Sequence, residues 1–565
     1  MEFSLMYPQN APREERKLTP EAINDLSIDF MLDALTDVRY EREHLRKLML
    51  QINDDSETIR YRCDVFEDFL RFPKLREAME QLVARLADLR DIERFQKDQD
   101  GSAFWSLVNR LREIDEYVSC ITMIKNTLEA IEVQSQGMRE LRQIVTDIDR
   151  ESGFPELKAD IDETLEKARR LQSITIGVNL DSMLRPESAG IISLNDTKFT
   201  DTGLMRRFMK FADRQKSELH EGTDTSDIKH FHPASPPTSN LIIGSFQGSA
   251  VSNDVKFEVS SIAGGDTLSN AISKPVTTIM KRTVSEIKST LRRYINISGY
   301  SLISLMPEII FYIRWAELTD KIMATGMPMC KAKILPADER NCSFKELYNL
   351  KLAINKVRGE EINIITNEFD FNDERRIYIM TGPNRGGKTI FTQAVGLCML
   401  LSQWGIYIPA REAEVSPCDN IYTHFPADEN DTVDLGRLGE ESQRLSHIFD
   451  VATSRSLMLL NESLATTSVA EGLFIAKDVV KAMRYLGVRA IFNTHMHELA
   501  KSLDELNSGE GTSRAESLIT GVCKGERSFK VAIAPPQGVS YAADIAKKYG
   551  VTFDMIKASI DEKRR

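Results

Sequence analysis

Apolar positions in the first third of the chain recur at steps of three and four. Leu75, Met79, Leu82, Leu86 and Leu89 fall on one helical stripe, and Ile121, Ile124, Leu128 and Ile131 repeat the pattern. These stripes predict a helical domain with an ordinary packed core. From Asp213 to Asn240 the periodicity dissolves into a polar tract rich in Pro and Ser. His230 and His232 stand close together there and read as solvated side chains. Short β-like pieces, LIIG and VKFEV, lie within residues 241–262. A new amphipathic helix follows, marked by Val284, Ile287, Leu291 and Tyr294. After about Lys351 short apolar strands alternate with helical segments almost to the end. The expected organisation is a helical core over 1–185, a variable insert with loops and β-structure over 186–265, long helices over 266–345 and an α/β domain over 346–565.

At 565 residues the chain is long for one core, so two to four domains are expected. Hydrophobic residues make up 42% and charged residues 28%, an ordinary soluble composition. No apolar run reaches the length of a membrane span. The first residues, MEFSLMYPQNAPREERK, lack the apolar centre of a secretory signal. Seven cysteines are scattered without a CxxC pair, which argues against a disulfide framework or a structural zinc. A reducing cytoplasm is the expected compartment. The net charge of −12 excludes a uniformly basic nucleic-acid binder, so any DNA contact must be local. One candidate exists. Six Lys/Arg against one Asp/Glu lie between Ala271 and Tyr300, and Lys281, Lys288 and Arg292 share a helix face. A solvated face is the competing reading.

The clearest chemistry lies in Gly382-Pro383-Asn384-Arg385-Gly386-Gly387-Lys388-Thr389, which fits G-x-x-x-x-G-K-[ST] in full. RIYIM (376–380) before it reads as a buried strand and IFTQAVGLCMLLSQW (390–404) after it as an apolar helix. Glycines in such a loop let backbone N–H groups close around phosphate oxygens, aided by the helix N-terminus. Lys388 would neutralise the β- and γ-phosphates, and the Thr389 hydroxyl would ligate Mg²⁺. SLMLLNES (456–463) is an apolar strand ending in Asn461-Glu462, where an acid and a water-orienting carboxylate are expected. RAIFNTH (489–495) is another, ending in Thr494-His495, which places His495 beside the γ-phosphate.

TGPNRGGKT, LMLLNESLATTS and FNTHMHEL, in that order, resemble the MutS family of DNA-repair ATPases. WGIYIPA (404–410), GVSYAADIAKKYGVTFDMI (538–556) and, more diffusely, YRCDVFEDF (61–69) extend the resemblance. It implies an ABC-like P-loop ATPase domain of MutS type, with a dimerisation segment at its C-terminal end, preceded by a mostly α-helical core and lever region. The cofactors implied are ATP and Mg²⁺. Asn384 would face the γ-phosphate, Glu462 would position the attacking water, and Ile365 and Asn367 would lie where the family holds adenine. The resemblance also implies a head-to-tail homodimer, each nucleotide completed by the partner's DLGRLGEES segment (434–442), with Gly436, Arg437 and Glu441 as its expected contacts.

The sequence departs from the family pattern in three ways. Asn461 stands where the family usually has Asp, which removes a negative charge beside Mg²⁺ and puts rapid turnover in doubt. Gly436-Arg437 replaces Ser-Thr in the signature. Arg437 either supplies positive charge across the dimer or lies on the surface. The N-terminal mismatch-reading domain and a C-terminal nuclease domain are both expected to be missing. The resulting expectation is an ATP-driven dimeric clamp on branched or distorted DNA, read through shape and backbone. The alternative is a nucleotide-binding switch with weak hydrolysis that docks a protein or ribosomal partner. A P-loop kinase of a small metabolite is disfavoured, since no arginine-rich lid is evident.

Overall fold

The computed structural model describes residues 3–11, 16–97, 104–150, 154–169, 173–180, 182–183, 186–195, 256–258, 285, 300–383, 386–426, 436–464, 469–523, 526–536 and 550–557. In chain order it begins with β1 (Arg16–Lys17), α1 (Pro20–Asp25), α2 (Ile28–Leu35), α3 (Arg39–Met49), β2 (Gln51–Ile52), α4 (Ser56–Arg71) and α5 (Pro73–Lys97). Three helices follow, α6 (Phe104–Ala130), α7 (Gln136–Arg150) and α8 (Phe154–Arg169), and then strands β3 (Ser173–Leu180), β4 (Pro186–Asn195) and β5 (Lys256–Glu258). Next come α9 (Met306–Ala324), β6 (Lys333–Ile334), β7 (Cys342–Leu347), α10 (Leu350–Val357), β8 (Asn367–Phe371) and β9 (Arg375–Thr381). The last part holds α11 (Lys388–Trp404), β10 (Glu412–Val415), β11 (Ile421–His424), α12 (Gly436–Val451), β12 (Leu457–Asn461) and α13 (Val469–Leu486). It closes with β13 (Arg489–Asn493), α14 (His497–Lys501), α15 (Leu503–Ser508), β14 (Arg514–Cys523) and β15 (Glu526–Ile533).

Two compact units result. One comprises Met1–Glu80, Ile131–Leu141 and Pro307–Arg565; the other comprises Gln81–Ala130 and Arg142–Met306. The first unit is therefore assembled from three separate stretches of chain. The short stretch 131–141 is tied in by Asp68, whose carboxylate accepts the N–H groups of Gln134 (3.0 Å) and Ser135 (2.8 Å).

The centre of the first unit is a six-stranded sheet in the order β11-β12-β13-β9-β14-β15. Its first five strands are parallel, and β15 returns antiparallel from β14. Every residue of β12 and β13 is buried, as expected for strands covered on both faces. A second sheet, β6-β10-β7-β8, lies in the same unit. Helix α11 is buried on nearly all sides because it is enclosed between the sheet and the N-terminal segment. A Cβ at Gly396 would fall 2.6 Å from a Leu459 methyl and 2.8 Å from a Leu26 methyl, so any larger residue would have to push these leucines aside. Polar side chains in α11 are spent on the enclosing backbone. Gln403 Nε2 donates to the carbonyls of Asn53 (2.8 Å) and Cys418 (2.7 Å), and Trp404 Nε1 donates to Gln51 (3.1 Å).

In the second unit α6 packs on α8. Leu111, Ile114, Val118, Ile121, Ile124 and Leu128 are buried along one stripe of α6, and Leu157, Ile161 and Leu165 along α8. The antiparallel sheet β3-β4-β5 completes its described part. The KFE of the β-like VKFEV is strand β5, whereas LIIG and the helix around Val284 to Tyr294 fall outside the described residues. So do Lys281, Lys288 and Arg292. No helix among the described residues is long and apolar enough to cross a membrane. Cys63, Cys120, Cys330, Cys342, Cys398 and Cys418 are free thiols.

Candidate functional site

Strand β9 ends at Thr381, and the glycine loop connects it to the first turn of α11. Gly382 has φ +149° and Gly387, the N-cap of α11, has φ +87°, both in the region that L-residues avoid. The Gly386 N–H bonds to the Pro383 carbonyl at 3.0 Å. A Cβ on Gly382 would lie 2.1 Å from Thr520 Oγ1, and one on Gly386 2.9 Å from the same hydroxyl. Thr520, on the neighbouring strand β14, is therefore the floor of the loop. Asn384 and Arg385 lie outside the described residues. Lys388 is buried and folds back into the loop, its Nζ 3.3 Å from the carbonyl oxygens of Gly382 and Pro383. Burial lowers its pKa, an effect opposed by the charge of Glu462.

Two further strand ends meet the loop. Asn461 closes β12 and pairs with Asn493 on β13. Its Oδ1 accepts hydrogen bonds from Thr389 Oγ1 at 3.0 Å and from Asn493 Nδ2. Glu462 follows in a left-handed conformation, φ +53°, with its N–H on the Asn493 carbonyl at 2.8 Å. The Thr494 N–H donates to the Met380 carbonyl at 2.9 Å, which brings His495 beside the loop. His495 Nε2 lies 2.7 Å from Glu462 Oε1. That hydrogen bond, helped by the charges of His495 and Lys388, holds the Glu462 carboxyl below its ordinary pKa. Glu462 is thus an anion facing a histidine, while the buried Asn461 and the half-buried Thr389 form a neutral pair.

Beside the N-terminus of α11 is a cavity of about 140 Å³. Ile365 and Asn367 line it, together with Tyr348, Asn349, Phe391 and Phe529. The Asn367 amide is committed to β15: Oδ1 accepts the Val531 N–H at 2.8 Å and Nδ2 donates to the Phe529 carbonyl at 3.3 Å. Phe529, which also lines the cavity, has φ +54° and is 43% exposed.

Of the expected signature residues, Gly436 begins α12 and Glu441 lies in its second turn. The Arg437 side chain is outside the described residues. The Glu441 carboxylate accepts the Leu464 N–H of the same chain at 2.6 Å. Among the described residues no cluster of three or more His, Cys, Asp or Glu could hold a metal ion.

Sequence reasoning passed over Thr520, Asn493, Phe529, His424 and Ser463. Asn493 and His424 carried a usable signal, a polar residue closing an apolar strand run. Thr520 and Phe529 carried none, since they reach the site only through the β9–β14 and β14–β15 pairings.

A parallel, doubly covered sheet with its polar groups gathered at the carboxyl ends of three adjacent strands defines the protein as α/β, with a largely helical N-terminal region. A model described as MutS domain V matches residues 378–551, and one described as MutS2 N-terminal domain matches residues 54–325. The DNA mismatch repair protein MutS of Oleidesulfovibrio alaskensis is 34% identical over 201 residues, 34% of this chain and 21% of that protein. The DNA mismatch repair protein MutS of Chlorobium chlorochromatii is 29% identical over 205 residues, 36% of this chain and 23% of that protein. The DNA mismatch repair protein MutS 2 of Halobacterium salinarum is 30% identical over 199 residues, 34% of this chain and 22% of that protein. The chain thus matches less than a quarter of the length of each of these relatives. It belongs to the MutS family.

Proposed function

We propose that this chain is an ATPase that uses ATP and Mg²⁺ to drive a homodimeric clamp on branched or distorted DNA. One observation carries the reading. The glycine loop with Lys388, the Thr389–Asn461 pair and the Glu462–His495 pair converge from the ends of β9, β12 and β13. The loop suits a phosphate chain, because a Cβ at Gly382 or Gly386 would collide with Thr520 or the loop's own backbone, and glycine lets the main chain come close to phosphate oxygens. Gly382, Pro383, Asn384, Arg385, Gly386 and Gly387 would form the cradle. Lys388 would leave its two carbonyls for phosphate oxygens, and Thr389 would hold Mg²⁺ with Asn461 behind it. The metal would supply positive charge between the β- and γ-phosphates. Glu462 would orient the attacking water, and His495 would face the γ-phosphate side.

The purine would occupy the cavity lined by Ile365, Asn367 and Phe529. Gly436, Arg437 and Glu441 would present the signature to the partner's nucleotide. The DNA part of the reading draws on relatives named as mismatch repair proteins and on the basic face of Lys281, Lys288 and Arg292.

A second reading, a nucleotide-binding switch with weak hydrolysis, draws on Asn461. Its one acceptor oxygen already takes two hydrogen bonds, and it brings no charge to the metal. Phosphate release by the wild type and by Glu462→Gln separates the two readings. Turnover in the wild type that falls about 100-fold or more in Glu462→Gln supports the ATPase. Equal silence with retained ATP binding supports the switch. Equal affinity for junction and plain duplex, or no binding at low salt, removes the DNA role.

A further inference from the structure

The turn Glu462-Ser463-Leu464 is unusual in its backbone. Glu462 has φ +53° and Leu464 φ +64°, and neither is glycine. Side chains with a Cβ avoid this region, so two such residues in one turn persist only where the surroundings enforce them. Three ties do so. The Glu462 N–H is held by the Asn493 carbonyl at 2.8 Å. Ser463 Oγ, buried, lies 2.7 Å from His424 Nδ1 and 3.1 Å from the His424 carbonyl. The Leu464 N–H is held by the Glu441 carboxylate of α12 at 2.6 Å.

Either neutral tautomer of His424 satisfies the Ser463 contact: Nδ1–H donates to Oγ while the hydroxyl donates to the His424 carbonyl, or the hydroxyl donates to Nδ1. Burial, with the charge of Arg444, pushes the His424 pKa down to about 4, which keeps the ring neutral.

We infer that Glu441 and Ser463 are positioning residues for Glu462: by clamping the left-handed turn they aim its carboxylate at His495. This deepens the reading of Glu462 as the water-orienting group and rests on it. It also gives Glu441 a task within its own chain. The helix whose first turn holds Gly436 and Arg437 is bonded, through Glu441, to the turn that carries Glu462. A shift of α12 would therefore be transmitted to the carboxylate through the Leu464 amide.

The test compares the full chain with Glu441→Ala, Glu441→Gln, Ser463→Ala and Glu462→Gln. Two readouts are taken: kcat and KM for phosphate release, and the His495 imidazole resonance of ¹⁵N-histidine-labelled protein without nucleotide, assigned with His495→Asn. Glu441→Ala should lower kcat about tenfold or more with KM within about twofold, and Glu441→Gln, which keeps an acceptor oxygen for the Leu464 N–H, should lose less of kcat than Glu441→Ala. The His495 resonance in Glu441→Ala should move toward its position in Glu462→Gln and remain at the wild-type position in Glu441→Gln. An unmoved resonance in Glu441→Ala, or a change confined to KM, overturns the inference. If the wild type releases no phosphate, the ATPase reading fails, and the resonance, which needs no nucleotide, still decides whether Glu441 aims Glu462. If Glu441→Ala does not fold, Ser463→Ala carries the same comparison.

Discussion

Both compact units bury polar side chains, but in different company. In the helical unit the buried Glu113 pairs with Arg110 one turn away on its own helix, amid the apolar stripe of α6. In the α/β unit His424, Asn461, Ser463, Asn493 and Thr494 are all buried together, at the ends of β11, β12 and β13. A local ion pair largely compensates itself and says little about function. A buried cluster drawn from several strands is different. Each member is desolvated, and its partners come from distant parts of the chain, so the arrangement stands only if the whole sheet holds it.

The comparison can be attacked first at the frame. Phe492, fully buried in β13, supports the strand end that carries Asn493. Phe492→Ala should cost about 3–5 kcal/mol in denaturant unfolding, and a loss below about 1 kcal/mol would mean the sheet is not what holds the cluster. The next largest effect concerns the cation in the loop. Lys388→Ala should weaken ATP affinity about 100-fold, or roughly 3 kcal/mol, measured by titration with a fluorescent analogue. Unchanged affinity would break the assignment of the strand ends to a phosphate chain.

Acid should distinguish the cluster in a similar range. His424 has its pKa lowered from 6.5 to about 4 by burial and by Arg444. As pH falls below 6.5 the unfolded chain takes up the proton first, so stability is full above that pH and declines toward pH 4. The expected loss is about 3 kcal/mol, and unfolding curves of His424→Asn should lack that component. The smallest effect belongs to the helical unit. Arg85 and Glu116 form a part-exposed pair at 3.1 Å. Glu116→Gln should change stability by less than about 1 kcal/mol, and less still in high salt. A larger change would mean that ion pairs matter as much there as at the sheet ends.

The two units also differed in how readable they were. The stripe of Ile121, Ile124 and Leu128 in α6 is buried as its period predicts, because helix periodicity is a local property. The strands RIYIM, SLMLLN and RAIFN are buried runs, and the loop between β9 and α11 lies where its glycines put it. The gathering of chain from 1–80, 131–141 and 307–565 into one unit was not visible, since no local pattern encodes which distant stretch will enclose α11. Asn367, expected beside the base, lines a cavity next to α11. Its amide, however, is committed to β15, which only the strand pairing reveals.

By itself the sequence determined the helical stripes, the buried strands and the residue types at the loop and strand ends, because these depend on neighbours a few positions away. Only the tertiary structure decided that Thr520 forms the floor of the loop, that Asn461 is shared between Thr389 and Asn493, and that Glu441 holds the turn after Glu462. Each of these contacts joins residues from separate elements, and their distances are set by sheet order and helix packing, not by spacing along the chain.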